Sequence, residues 1–193
     1  MNNKLTHLVV AGIGALAFAG CATDEPAATP DPVETSTETA DLSAQILAVA
    51  AASASHQIRN FETGQCITAP KGQLNENLHT GQCNGSDFHQ KWAFVQVSAS
   101  QPDTFYLVNQ QTQFCAEVNN GSSIAGERVD DFTCNGSTAE QWVQSFRVVN
   151  GVALQQFRHI NTSLCLDTVS GPGSELMQWF CGPTNDAQTW LVL

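Results

Sequence analysis

Tryptophan and cysteine recur three times in register along this chain, and that triple repeat limits its fold more than any other feature. Trp92, Trp142 and Trp190 are spaced 50 and 48 residues apart. Two cysteines precede each: Cys66 and Cys83, Cys115 and Cys134, Cys165 and Cys181. First cysteines lie 49 and 50 residues apart and second cysteines 51 and 47. A threonine stands three positions before each first cysteine (Thr63, Thr112, Thr162), and Cys-Asn-Gly-Ser occurs at both Cys83 and Cys134. A fixed period of this length means one supersecondary unit used three times, here over about 56–103, 104–151 and 152–193.

Within each unit the apolar segments are short and bounded by Gly, Asn, Ser or Pro. Phe105–Val108 before Asn109, and Val152–Phe157 before Asn161, read as strands. Residues 56–193 show no sustained helical period. Roughly four short strands per unit predict an all-β domain of about twelve strands with pseudo-threefold symmetry. The repeats are too few and too rich in cysteine for a long solenoid. A closed, three-lobed architecture is the economical solution, because closure removes exposed strand edges.

Gln90-Lys91-Trp92 and Gln188-Thr189-Trp190 match the QxW motif of the ricin-B-type lectins, and Glu140-Gln141-Trp142 is an ExW variant of it. Residues 56–193 therefore resemble one β-trefoil of that family. The resemblance implies that Trp92, Trp142 and Trp190 pack in a shared core. It also implies disulfides within each unit: Cys66–Cys83, Cys115–Cys134 and Cys165–Cys181. Each local bridge would contribute on the order of 3 kcal/mol by the loop-entropy argument.

The fourth tryptophan, Trp179, lies outside the QxW register, two residues before Cys181. In the lectin family an aromatic at that place lies under the sugar ring, and an Asp two residues after the first cysteine grips its hydroxyls. Asp167 occupies the latter position. A carboxylate accepts from two adjacent hydroxyls while a flat aromatic covers the C–H side of the ring. By resemblance the third unit carries the main carbohydrate site, with Asp167, Trp179 and Gln188 as its residues. It departs from the family in having Ala187 where Asn is frequent and Met177 where Gln is frequent. The same two positions hold Glu117 and Phe132 in the second unit, a weaker site, and Thr68 and Gly81 in the first, which reads as structural. Galactose-like or xylan-like glycans are the expected partners, at millimolar affinity per site, about −4 kcal/mol. The alternative is a protein-interaction module that keeps the trefoil without sugar binding.

Seven cysteines leave one outside the repeats, Cys21. An apolar run over Leu8–Ala19 follows Lys4, too short to span a bilayer but suited to a signal peptide, residues 1–20. The ending Leu16-Ala17-Phe18-Ala19-Gly20-Cys21 resembles the lipobox of bacterial lipoproteins, with Phe18 where Leu is preferred. That implies lipidation at Cys21. The same residues contain Ala17-Phe18-Ala19, an ordinary A-x-A cleavage signal. Both readings export the chain to a disulfide-permitting compartment, as an envelope lipoprotein (periplasmic or cell-surface) or a secreted protein. Residues 21–55 are expected to form an acidic linker rich in Pro, Thr and Ala, with Asp24, Glu25, Asp31, Glu34, Glu38 and Asp41 and no basic residue. Its Ala-rich end, Leu42–Ser55, could form a short helix but shows no cap or clean apolar stripe, and is read with the linker.

The formal net charge of −11 argues against nucleic acid, which needs a surplus of Lys and Arg. Residues 56–193 carry six basic and twelve acidic residues, so much of the acidity belongs to the linker. Asp130 and Asp131 are neighbours and would point to opposite faces of a strand, unlike a catalytic carboxylate pair. His56, His79, His89 and His159 show no zinc-ligand spacing, and no hydrolase, P-loop or dinucleotide fingerprint is present. The expectation is a monomeric, non-enzymatic protein without cofactor or metal, touching a membrane only through lipid at Cys21.

Overall fold

Each repeat folds into four short strands because its apolar runs are only three to nine residues long and end at turn-forming residues. A computed structural model describes residues 34–72, 74–168 and 173–193. The expected signal peptide, Cys21 and the first part of the linker lie outside the described residues.

The first repeat supplies β2 (Ile58–Asn60), β3 (Cys66–Thr68), β4 (His79–Gly81) and β5 (Trp92–Ser98), preceded by a two-residue β1 (Ser55–His56). The second supplies β6 (Gln101–Asn109), β7 (Phe114–Val118), β8 (Val129–Thr133) and β9 (Gln141–Val149). The third supplies β10 (Val152–His159), β11 (Cys165–Thr168), β12 (Leu176–Trp179) and β13 (Trp190–Val192). This is a β-trefoil, as expected, with β1 as the strand beyond the anticipated twelve.

Strand pairing runs β5–β6–β9–β10–β13–β2. The segment 55–60 joins both ends of this series, since β1 pairs with β5 and β2 with β13. Gln57 sits between the two strands and exchanges backbone hydrogen bonds with Leu193. The three hairpins β3–β4, β7–β8 and β11–β12 branch from this series through β2, β6 and β10.

The core is threefold, layer by layer. Trp92, Trp142 and Trp190 are fully buried and share one cluster with Ile58, Leu107 and Phe157. Ile67, Ala116 and Leu166 form the next set, and Leu78, Val129 and Leu176 the one beyond. Each tryptophan removes about 150–250 Å² from water, a gross gain of a few kcal/mol at about 25 cal/mol/Å². All three expected disulfides are formed, across 17, 19 and 16 residues.

The repeated threonines have a backbone task. Thr63, Thr112 and Thr162 each accept, at Oγ1, the N–H of the residue two positions on, Gln65, Phe114 and Leu164. Each hydroxyl thereby fixes the turn that delivers the first cysteine to its strand.

The segment expected to be linker contains a helix, α1 (Glu34–Ala52). Ile46 and Ala50 are buried against Ala93, Val95, Tyr106 and Val108. Leu42 lies so close to Gly136 that a Cβ there would collide with it, and Gly136 also has a positive φ of 79°. Leu42, Ile46 and Ala50 recur every four residues, a stripe one side chain wide that the surrounding alanines obscure in sequence. Alanine favours helix on its own account, and Ser53 ends the helix by donating from Oγ to the carbonyl of Val49 at 2.8 Å. Among the described residues no helix is long and apolar enough to cross a membrane. If the helix is an integral part of the fold, Ile46→Ala should cost about 2 kcal/mol and lower Tm by several degrees. A calorimetric scan showing no change in Tm would mean that α1 is undocked in solution.

Candidate carbohydrate site

The same indole hydrogen bond recurs in all three repeats. Nε1 of Trp92 donates to the carbonyl of Ile67 at 3.1 Å, that of Trp142 to Ala116 at 2.9 Å, and that of Trp190 to Leu166 at 3.3 Å. The acceptor always follows the first cysteine. Each buried tryptophan therefore holds the strand whose next residue, Thr68, Glu117 or Asp167, faces the candidate site.

Strand register completes the equivalence. Asp167 lies opposite Met177, and Cys165 opposite Trp179. In the second repeat Glu117 lies opposite Asp130, and Cys115 opposite Phe132. In the first, Thr68 lies opposite His79, and Cys66 opposite Gly81. The acidic and aromatic residues predicted from sequence thus share one face in the third and second repeats, and the first lacks both.

In the third repeat Asp167, Thr168, Met177, Trp179 and Asn185 line an open depression of about 300 Å³. Trp179 is 42% exposed, whereas the other three tryptophans are fully buried. Its ring rests on Gly126 of the second repeat, where a Cβ would stand 3.0 Å from Cζ3. Gly126 has φ +93°, so both its backbone and its neighbour require glycine. Phe180 packs edge-on against the indole, ring centres 5.9 Å apart. Gln178, on the buried face of β12, ties the second-repeat loop beneath Trp179. Its Nε2 donates to the carbonyls of Ser122 and Ile124 at 2.7 and 3.0 Å, and Thr162 donates to its Oε1 at 3.0 Å.

Asp167 is held from behind. Its Oδ2 accepts from Gln188 Nε2 at 2.7 Å and from Asn185 Nδ2 at 3.2 Å. Burial raises the pKa of this carboxyl above the ordinary aspartate value, opposed by the hydrogen bonds from Gln188, the Thr168 backbone and Asn185. Gln188 differs from the sequence expectation of a sugar contact. It is fully buried, its Nε2 also donates to the Phe180 carbonyl at 2.8 Å, and its Oε1 accepts from Gly182 N–H at 2.8 Å. Its polar atoms are used inside the protein, so it orients Asp167 and clamps the loop after Cys181. Asn185 is the site residue that sequence reasoning missed. Its Oδ1 accepts from Ala187 N–H at 3.0 Å, capping the turn Asp186–Gln188, while its amide faces Asp167. An Asn immediately ahead of a short helical turn was the available signal.

Residues 103–193 match the ricin-type beta-trefoil lectin domain, and residues 45–130 match the ricin-type beta-trefoil lectin domain-like family. Both halves match ricin-type lectin families. The chain resembles the designed threefold-symmetric protein ThreeFoil, at TM-score 0.61 and 17% identity, over 72% of this chain and 97% of that one. It also resembles the Polyporus squamosus lectin, solved with Neu5Aca2-6Galb1-4GlcNAc, at TM-score 0.63 and 12% identity, over 72% and 48% of the two chains. An exo-beta-1,3-galactanase from Clostridium thermocellum matches at TM-score 0.63 and 17% identity, over 72% of this chain and 30% of the enzyme. The chain thus spans less than half the length of these two natural proteins, and at such identities the likeness concerns the fold. No protein of curated function matches the chain in sequence.

The second repeat of this trefoil departs from the other two at the QxW position. Gln90 accepts the Asn84 N–H at Oε1 and donates from Nε2 to Thr68, as Gln188 does with Gly182 and Asp167. Glu140 accepts from the Asn135 and Gly136 N–H groups but has no amide to offer Glu117. Two further acids lie on β8. Asp130 is buried and ion-paired to Arg128 at 3.2 Å, while Asp131 accepts the Glu76 N–H. Burial pushes Glu117 up to about 7, reinforced by the charge of Asp130 and opposed by the Asn120 N–H. Burial likewise pushes Glu140 to about 7, against the Asn135 and Gly136 N–H groups and with the charge of Glu117. Asp130 and Asp131 are both pushed to about 6, again chiefly by burial. Among the described residues, no group of three His, Cys, Asp or Glu is placed to hold a metal ion.

These four carboxyls bind protons more tightly in the folded chain than in the unfolded one, where they titrate near 4. Their contribution therefore favours folding below that value and is lost as pH rises through 6 to 7. Tm should fall between pH 5 and pH 8, and Glu140→Gln should reduce the fall by a few degrees. The variant restores the amide donor to Glu117 and removes one buried charge, an effect of about 1 kcal/mol. Superimposable pH profiles for the two proteins, followed by circular dichroism, would refute this electrostatic origin.

Proposed function

We propose that the protein binds carbohydrate, with its main site in the third repeat formed by Asp167, Trp179 and Asn185. The observation carrying this reading is the pairing of a held carboxylate with a half-exposed indole around one depression. Asp167 accepts hydrogen bonds from two neighbouring sugar hydroxyls, and Trp179 covers the apolar side of the ring. Gln188 and Asn185 preset the carboxylate, which limits the ordering cost of binding. Galactose-like and xylan-like sugars both offer the required adjacent hydroxyls. The second repeat, with Glu117 and Phe132, is a weaker, subsidiary site, because Asp130 opposite Glu117 is buried and paired with Arg128.

By isothermal titration with a sugar identified on a glycan array, Trp179→Ala and Asp167→Asn should each weaken binding at least tenfold. Thr68→Ala should leave it unchanged. The reading is wrong if the wild type binds no glycan, or if Trp179→Ala binds as well as wild type. The first of these results favours the protein-interaction alternative. Because burial raises the Asp167 pKa, affinity should be lost on acidification at a pH above the ordinary aspartate value of about 3.9.

The exported, disulfide-bonded domain is further proposed to be tethered by lipid at Cys21, on the strength of the Leu16–Cys21 motif. Detergent-phase partitioning should be lost in Cys21→Ser. Equal partitioning of variant and wild type would exclude lipidation there.

A further inference from the structure

Threefold symmetry gives each repeat an equivalent groove between the hairpin that enters it and the loop after its second cysteine. In the second repeat that groove is occupied by the chain's own helix. Val95, Tyr106 and Val108 pack on Ile46 and Ala50, and Tyr106 Oη donates to the Gly136 carbonyl at 3.3 Å. In the first repeat, Gln57 stands at the position of Tyr106 and donates to the Asn84 carbonyl at 3.1 Å. In both cases a side chain bridges groove and loop.

In the third groove no such bridge is made from the corresponding position; the loop is held from β9 instead, by Arg147. Gln156, at the position of Gln57 and Tyr106, is instead an acceptor for Arg158 Nη2 at 3.2 Å. Pairing across the hairpins puts Ser145 where Val95 stands and Arg158 where Val108 stands, and Arg147 falls five residues after its tryptophan as Val97 does. The valines that bind the helix are thus replaced by one hydroxyl and two guanidinium groups. Phe146, Arg147, Gln156 and Arg158 face Gly182 and Pro183 across an open pocket of about 320 Å³. Phe146 is 64% exposed. Arg147 is fixed by the Asn185 carbonyl at 3.0 Å and the Asp186 carboxylate at 2.9 Å. Among the described residues Arg158 has no carboxylate within ion-pair distance, in a chain of net charge −11.

We infer that this groove is a further ligand site, and that it takes a sugar residue bearing a carboxylate. Guanidinium forks match a carboxylate in plane and spacing, and an exposed phenyl ring covers the apolar side of a pyranose. A neutral sugar would offer Arg158 no countercharge. Arg147 bonds the main chain of Asn185, whose side chain lines the depression at Asp167, so the loop 182–186 forms a wall common to both sites. An acidic polysaccharide could place neighbouring residues on either side of it. The site does not depend on sugar binding at Trp179.

The test is amide chemical-shift titration of the full chain with methyl glucuronide, with the methyl glycoside of N-acetylneuraminic acid, and with methyl glucoside as neutral control. Uronate and sialate arms separate the two sources of the carboxylate. At least one acidic sugar should shift Phe146 and Gly182 and bind at least fivefold more tightly than the glucoside, an advantage that shrinks in about 0.5 M salt. Arg158→Gln should remove that advantage at unchanged Tm, Phe146→Ala should weaken acidic and neutral sugars alike, and Trp179→Ala should retain the advantage. The inference is overturned if the acidic and neutral sugars bind equally, if Arg158→Gln keeps the preference, or if shifts are confined to the surroundings of Asp167 and Trp179.

Discussion

The hydrogen bond from each buried indole to the carbonyl after the first cysteine is the constraint on which the rest depends. It is made three times, at 2.9–3.3 Å, by side chains with no exposure to water. A tryptophan in an apolar core needs a partner for its N–H, and here the partner belongs to the strand that carries the site. Core and site are consequently one construction. The disulfide on the preceding residue ties the same strand to the segment just past the opposing hairpin strand, which carries the aromatic position. The fold thus delivers three copies of a two-residue platform, and the local side chains decide what each copy does.

Those local choices diverge along a single electrostatic axis. Where glutamine occupies the QxW position, its amide supports an acceptor on the neighbouring strand: Thr68 in the first repeat and the Asp167 carboxylate in the third. Only the third pairs that support with a carboxylate and an exposed indole. In the second repeat Glu140 removes the donor, and Glu117 faces Asp130 instead. Acids held there without an amide partner resist ionisation, which costs stability near neutral pH and weakens the platform as an acceptor of sugar hydroxyls. The same divergence extends to the grooves, apolar and filled by α1 in the second repeat, cationic and open in the third.

Much of this was legible in sequence because repetition makes long-range contacts visible as register. The tryptophan layer, the three disulfides and the equivalence of Asp167 with Glu117 and Thr68 followed from spacing and resemblance. What escaped was set by contacts between elements that spacing does not report. Helix α1 shows only Leu42, Ile46 and Ala50 as an apolar stripe, and its stability comes from the valines of β5 and β6. Gln188 carries the right chemistry for a sugar contact, yet its burial commits every polar atom to Asp167, Phe180 and Gly182. Asn185 was hidden for the opposite reason: it lies off the family positions, and a cap two residues from Ala187 brings it to the carboxylate.

The central claim is that one tryptophan of four is displayed for ligand while three are sealed in the fold. Acrylamide quenching of intrinsic fluorescence, with and without saturating sugar, measures this in the unmodified protein. The account predicts a single accessible tryptophan in the free protein and its protection when sugar is bound. An accessible tryptophan whose quenching is the same with and without bound sugar would contradict it.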